Sequence, residues 1–461
     1  MLIRCLAASL LIVGAASCLA AGEPAARHVV MISVDGFPAY LFDDPKAPIP
    51  NVRRLAREGV VAAGMRVVNP SVTWPNHTSL VTGLRPDKHG VLANGILTRH
   101  GTGQPVTIEP RHDQADLIHG PTLFDLAHQA GLSTAAINWP CTRNSRSLDD
   151  NFPDVPENVE YTTPRLRQEL QAAGLLTGEA KNFIKDTSGP ERDYIWTEAT
   201  RLVLDKRRPN LTLLHLLNVD GSHHALGPQS PGGYTAIAYA DACIGRVLDA
   251  IAAAGMQDQT AVFIVADHGF ILTPKALKPN ALLRREGFLK AGRGGKIEEA
   301  RVQVVPEGGM GLLYFSDPSL SAEEQGRVRR LFEGQKEIAQ VLEPRQFSQY
   351  GLPNPRADAQ MADLVLLAKE GFGVSGRADG DEFVVDGEAA GVPRGSHGFV
   401  ADQNMMNAVF VAAGAGLRRG VRLGEITNLD VAPTAAALLG LAMPVVDGHV
   451  LTDVLSTATA K

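Results

Sequence analysis

Asp35, Asp220, Asp267 and His268 each close an apolar run. His224 follows Asp220 by four residues, and His397 sits in the glycine-flanked run Gly395-Ser396-His397-Gly398. Carboxylates and imidazoles without cysteine form a hard-to-borderline ligand set, suited to catalytic zinc in open sites. Six such groups are more than one zinc takes, whereas two metals share them. A metal pair activates an attacking oxygen and steadies the leaving one. Thr73 is the candidate for that oxygen. It precedes Trp74-Pro75, and Pro is pre-set for the first turn of a helix that runs through Asn76–Thr82 and stops at Gly83. Its hydroxyl then lies at a helix N-terminus, where free N–H groups and the dipole favour an anion. A threonine hydroxyl is a weak nucleophile until a base or metal activates it. Singly these residues have plainer readings, because an Asp before Gly is usually a turn residue and a His among glycines can be merely exposed. It is the set that points to a metal site.

The elements that must position this set alternate. His28–Gly36, Leu211–Asp220, Ala261–Gly269 and Ser133–Asn138 are near-continuous apolar runs bounded by turn residues, as expected of parallel strands buried on both faces. Helical patterns cover Ile49–Gly59, Thr122–Gly131 and Thr235–Gly255. Alternation of this kind predicts an α/β fold with a doubly wound parallel sheet, whose ligands bind at the carboxyl ends of the strands. From Ile271 to about Arg394 the pattern weakens into Gly, Pro and charge. Within it Leu312–Ser316 and Leu364–Ala368 read as short strands and Ser321–Gly334 as a helix. Residues 271–394 are therefore an insertion or cap within one catalytic domain made of 21–270 and 395–461. Asn407–Ala413 and Asp430–Gly440 supply a closing strand and helix.

The 461 residues are 44% hydrophobic and 20% charged, with 46 Gly and 29 Pro, enough for one large domain with insertions. A net charge of -6 without any basic run gives no sign of a nucleic-acid surface. Residues 1–20 carry one Arg, a short apolar run and then small residues, the pattern of a secretory signal peptide rather than a transmembrane span. The expected location is periplasmic or secreted, with acylation of Cys18 the less favoured route. Cys141 and Cys243 then remain, either bonded or free and buried. Oligomeric state is open.

The segments VVMISVDGF, NPSVTWPNHTSLVTGLRPDKHG, NVDGSHHALGP, FIVADHGF and GSHGF resemble the nucleotide pyrophosphatase/phosphodiesterase family (type I phosphodiesterases) of the alkaline phosphatase superfamily. The resemblance implies an alkaline-phosphatase-like central sheet, mostly parallel and flanked by helices, with an inserted cap. It implies that Thr73 is a nucleophile forming a covalent phospho-enzyme, with two Zn2+ as cofactors. One zinc would take Asp35, Thr73, Asp267 and His268, and the other Asp220, His224 and His397. His223 competes with His224, which fits the family spacing better. Asn94 matches the residue that binds a non-bridging phosphate oxygen; with the backbone amide near Thr73 it would form an electrostatic hole. His77 and His89 are left with structural roles.

Two positions depart from the family. His215 stands five before Asp220, where an aromatic usually stacks on the nucleotide base, and Trp74 replaces a common Phe as the wall beside the leaving group. Related phosphomonoesterases carry a Lys-x-Arg pair where this chain has Asn138-Trp139-Pro140. Without those cations a doubly charged monoester is poorly balanced, which favours a diester or a pyrophosphate, although Arg143 is close. The expected partner is a small-molecule phosphodiester or nucleotide contacting Trp74, Asn94 and His215. The alternatives are a phosphomonoesterase of the same superfamily and an inactive metal- or ligand-binding module. A formylglycine sulfatase needs Cys or Ser in place of Thr73.

Overall fold

The computed structural model of the chain describes residues 25–388 and 394–456. The signal-peptide and Cys18 readings fall outside them. Eight strands form the main sheet: β1 (His28–Val34), β2 (Val60–Arg66), β3 (Thr134–Pro140), β4 (Asp150–Asp154), β5 (Leu211–Leu216), β6 (Thr260–Val265), β7 (Phe410–Gly414) and β8 (Val421–Thr427). Their order is β8-β2-β7-β6-β1-β5-β3-β4, and only β7 runs antiparallel to its neighbours. The central strands are mostly apolar and almost wholly buried because helices cover both faces. Met31 and Ile32 on β1 are fully buried, and each such side chain contributes about 1.5–3 kcal/mol of burial. Val34 pairs with Leu216, and Ser33 with Val265. In this register β1, β5 and β6 release their next residues at one edge, and those residues include Asp35 and Asp267.

The helices that bear on the site are α1 (Thr73–Thr82), α2 (Gly189–Arg207), α3 (Asn218–Leu226) and α4 (Pro231–Ala253). All ten residues of α1 are buried, so it shows no polar stripe, and it starts at Thr73, three residues before the expected helix. It ends at Gly83, whose φ of 66° needs a glycine. The apolar run ending at Asp220 breaks earlier than expected: β5 stops at Leu216, and Asp220 lies in the first turn of α3. Three strands had no sequence signal. β2 follows a helix without a turn cluster, β4 reads DNFPD, and β8 is a half-exposed edge.

The main sheet takes no strand from 271–388. That segment builds an antiparallel sheet from Val302–Glu307, Met310–Phe315, Leu364–Ala368 and Ile338–Leu342, with the helix Ala322–Glu333 beside it. Its apolar face packs on Leu92, Ala93, Leu97 and Val106, so it shares a core with the loop after α1. Entry and exit are tied together: Ile271–Leu272 pairs antiparallel with Gly395–Ser396. The residue after that pair is His397. Cys141 and Cys243 are both free and buried.

Candidate active site

Two groups of donor atoms meet at the carboxyl edge of the sheet. In the inner group Asp35 leaves β1 directly, with its Oδ1 3.3 Å from His268 Nε2. Asp267 comes two residues after β6. Its Oδ1 accepts the backbone N–H groups of Gly36 and His268, and its Oδ2 lies 3.3 Å from His268 Nε2. The His268 ring is steered by Nδ1, 3.1 Å from the Gly269 carbonyl. All three side chains are fully buried.

The outer group is partly open. Asp220 and His224 stand one turn apart on one face of α3, with His224 Nε2 3.2 Å from Asp220 Oδ1. His397 Nε2 is 3.7 Å from the same oxygen. The chain fixes both rings from behind, through His224 Nδ1 at 2.9 Å from the Gly395 carbonyl and His397 Nδ1 at 2.9 Å from the Ser71 carbonyl. Gly398 permits this approach: its φ is 76°, and a Cβ there would lie 1.9 Å from the Glu307 carbonyl. The rings of His268 and His397 stack 3.6 Å apart and join the two groups.

These donors fit divalent metal. Asp35 Oδ1, Asp220 Oδ1, Asp267 Oδ2 and His268 Nε2 are buried with no hydrogen-bond partner, although buried polar atoms are normally bonded. Donor atoms of Asp220, His224 and His397, and of Asp35, Asp220 and His268, lie within 4.8 Å of one another. The charges agree. Burial, reinforced by Asp267, holds the Asp35 carboxyl well above its usual range, and burial pushes Asp267 up to about 7. Burial also lifts Asp220, but the neighbouring His224 overcomes it and keeps that carboxyl below its ordinary value. Burial lowers His268 to about 4 and pulls His397 down as well. The His268 and His397 imidazoles are therefore neutral, the form that ligates metal. Burial lowers His224 as well, but Asp220 overcomes it and holds that ring above its ordinary value. The inner carboxylates lack such a counter-charge.

Thr73 opens α1 and is 9% exposed. The Trp74 N–H, the backbone amide next to Thr73, donates to Asn94 Oδ1 at 2.9 Å. The part of the exposed Asn94 side chain that remains to meet a phosphate is therefore its amide nitrogen, with two N–H donors. Trp74 is buried, its Nε1 donating to Asp154 Oδ2 at 3.2 Å. It lines a cavity of about 460 Å³ with Asp154, Ile184, Arg192 and Leu217. Burial, more than the Trp74 bond offsets, pushes Asp154 up to about 6.

His215 does not reach that cavity. It is fully buried, with Nε2 3.0 Å from Asp35 Oδ2 and Nδ1 2.9 Å from the Asn138 carbonyl. The expected substrate contact is corrected: this side chain points along the sheet edge into the back of the site, because it still belongs to β5. His223 is turned away from Asp220, with Nδ1 3.1 Å from the Gly36 carbonyl. Arg143 binds Asp113 at 2.8 Å and stacks on Tyr161, so its guanidinium is engaged there. His89 packs behind α1, with Nε2 3.1 Å from Ser79 Oγ.

Two residues of the site had been given no such place. His77, one turn after Thr73, puts Nδ1 3.0 Å from the Thr73 carbonyl and 3.6 Å from Asp267 Oδ2; its i+4 spacing from Thr73 was the available signal. Asp193 on α2 accepts the N–H groups of Leu217 at 2.8 Å and Asn218 at 3.3 Å. It thereby holds the start of α3, where the dipole favours an acid. Nothing in its sequence neighbourhood marks it.

The profile of the type I phosphodiesterase/nucleotide pyrophosphatase family matches residues 29–400. Ectonucleotide pyrophosphatase/phosphodiesterase family member 3 of Mus musculus is 24% identical over 244 residues, which are 52% of this chain and 24% of that protein. The match thus spans about a quarter of that relative's length. An uncharacterized pyrophosphatase/phosphodiesterase of Schizosaccharomyces pombe is 24% identical over 424 residues, 90% of this chain and 77% of its own. Among solved structures, human ectonucleotide pyrophosphatase/phosphodiesterase 5 superposes with a TM-score of 0.70 at 17% identity, covering 93% of this chain and 100% of the other. Its murine counterpart, solved as an inactive threonine-to-alanine variant in complex with AMP, gives 0.69 at 17% identity, with the same coverage.

Proposed function

From the premise that this chain belongs to the type I phosphodiesterase/nucleotide pyrophosphatase family, we propose that it is an exported two-zinc hydrolase of phosphodiester or phosphoanhydride bonds. The observation that carries the reading is four buried, unpartnered donor atoms at one sheet edge. Asp35, Thr73, Asp267 and His268 hold one zinc; Asp220, His224 and His397 hold the other. When bound, the zinc ions supply positive charge against the phosphate and against the Thr73 oxygen.

The chain's own groups do the rest. Thr73 Oγ1, giving up its proton to solvent, attacks phosphorus, forming the Thr73–O–P bond as the bond to the leaving oxygen breaks, and the departing oxygen takes a proton from solvent. Water then hydrolyses the phospho-threonine and returns the hydroxyl. The Asn94 amide group donates to a non-bridging oxygen, and the start of α1 favours the same charge. The Trp74 cavity takes the organic group. AMP bound to the murine neighbour supports a nucleotide as one substrate class, and that neighbour's inactive threonine variant supports Thr73 as nucleophile. A diester is favoured over a monoester because Asn138 faces His215 and Arg143 is engaged elsewhere. Export is supported by the apolar run and small residues before Ala20; no helix among the described residues is long and apolar enough to cross a membrane.

The test is hydrolysis of bis(p-nitrophenyl) phosphate and p-nitrophenyl phosphate by the wild type, with and without chelator, and by Thr73→Ala. Diester turnover lost in both conditions supports the proposal. Undiminished turnover in either ends it, and a monoester preference favours the phosphatase reading.

A further inference from the structure

His215 is bonded to Asp35 in a way that leaves its ring no freedom. Nε2 lies 3.0 Å from Asp35 Oδ2. On the other side Asn138 presents two groups to Nδ1: its backbone carbonyl at 2.9 Å and its side-chain Nδ2 at 3.3 Å. The same Nδ2 donates to the His215 carbonyl at 3.2 Å. Asn138 can do this because it sits at the bulge in β3, where its φ is 54°. That conformation is uncommon outside glycine, and Asn tolerates it best. Both side chains are fully buried.

We infer that His215, fixed by Asn138, is a positioning residue that keeps an N–H on Asp35 Oδ2 and so reserves Asp35 Oδ1 for the inner cation. When Asp35 ligates a cation it is ionised and only accepts, so the nitrogen facing it must donate. Asn138 makes that possible: its Nδ2, 3.3 Å from Nδ1, donates to a bare Nδ1, the tautomer in which Nε2 carries the hydrogen. Asp35 Oδ1 is left buried and unpartnered, 3.3 Å from His268 Nε2. Bonds that orient a metal ligand from outside typically carry 10- to 100-fold in metal affinity. The His77 ring packs 4.3 Å from that of His215 and holds it laterally.

The inference rests on the two-metal reading, and its test is metal binding rather than turnover. Zinc affinity of the purified full chain is measured by chelator competition for wild type, His215→Gln, His215→Asn and His215→Phe, with the thermal midpoint of each metal-free protein. The Gln amide reaches the place of Nε2 and the Asn amide does not. Expected are a loss of about 10- to 100-fold for the first zinc site in His215→Phe and His215→Asn, and near-wild-type affinity in His215→Gln. If His215→Phe does not fold, Asn138→Gly, which suits the φ of 54°, should weaken the same site in the same direction. Equal loss in the Gln and Phe variants, or tight zinc binding by Phe, overturns the positioning role alone. A wild type that binds no zinc overturns this inference together with the two-metal reading.

Discussion

The inner and outer donor groups use the same residue types under opposite conditions. Asp35, Asp267 and His268 have fully buried side chains, whereas those of Asp220, His224 and His397 are 16%, 27% and 11% exposed. In the outer group the histidine partner keeps Asp220 ionised. In the inner group two carboxylates face each other out of water, and both are pushed up. The outer group is electrostatically self-sufficient; the inner one is a charge defect in the metal-free protein, which a cation cures. The difference teaches which side should respond to metal in stability and which only in turnover.

The largest effect expected is on catalysis. Thr73→Ala should cost several kcal/mol of barrier, about 10³-fold or more in kcat, read by diester turnover at saturating zinc. Asp267→Asn and His224→Asn should each also abolish most turnover, but they separate in the metal-free protein. Asp267→Asn keeps the acceptor for the Gly36 N–H and removes the defect, so its thermal midpoint at pH 8 should exceed wild type, by about 1–3 kcal/mol of stability. His224→Asn should not rise. Equal midpoints for wild type and Asp267→Asn would break the comparison.

The pH profile sharpens it. Asp267 is pushed from 3.8 to about 7 in the folded chain, so the protonated form favours folding. Its contribution is fully present below about 4 and is lost as pH rises through about 7. The chelated protein should therefore lose thermal stability from pH 4 to pH 7, and saturating zinc should flatten that slope. A slope unaffected by zinc would place the loss elsewhere. Asp154 and Asp193, pushed up to about 6 and about 7 by burial, act in the same sense and set the part zinc cannot remove.

Much of this site could be read from residue order, and the reason is topological. A parallel sheet buried on both faces writes its strands as apolar runs, and its register brings their exits to one edge. Asp35, Asp267 and His268 were legible for that reason. His397 was legible only as a glycine-flanked histidine; the pairing of Ile271–Leu272 with Gly395–Ser396 that delivers it needs the fold. His215 was assigned to the substrate from its place five before Asp220 in the family pattern; which face of β5 it takes, and that it meets Asp35 there, needs the fold. Asn138 and Asp193 act through a bulge and through another helix's first turn, and neither leaves a local pattern. The cap was illegible in outline: its short antiparallel strands are interrupted by Gly and Pro, and its apolar face is completed by Leu92 and Val106 from far earlier in the chain.

A smaller effect tests the cavity. Trp74→Ala removes the wall beside Asp154 and should raise KM for a nucleoside p-nitrophenyl phosphodiester about tenfold, near 1.4 kcal/mol, with less change for bis(p-nitrophenyl) phosphate. An equal change for both would place Trp74 with the reacting atoms rather than with the organic group.

The smallest effect on turnover belongs to an acid outside both donor groups. Glu307 ends a cap strand, 7% exposed, and burial alone pushes its carboxyl from 4.5 to about 8. Like Asp267 it favours the folded chain while protonated, and that contribution is lost as pH rises from about 4.5 through about 8. Unlike Asp267, no neighbouring charge contributes to its shift, so zinc should leave its slope intact. Glu307→Gln should match wild type in diester turnover and in thermal midpoint near pH 5. By pH 8 it should be the more stable protein by no more than a few kcal/mol, with or without zinc. If zinc erased that difference, buried acids in the cap and in the inner group would share one electrostatic environment, and the contrast between a cured and an uncured charge defect would fail.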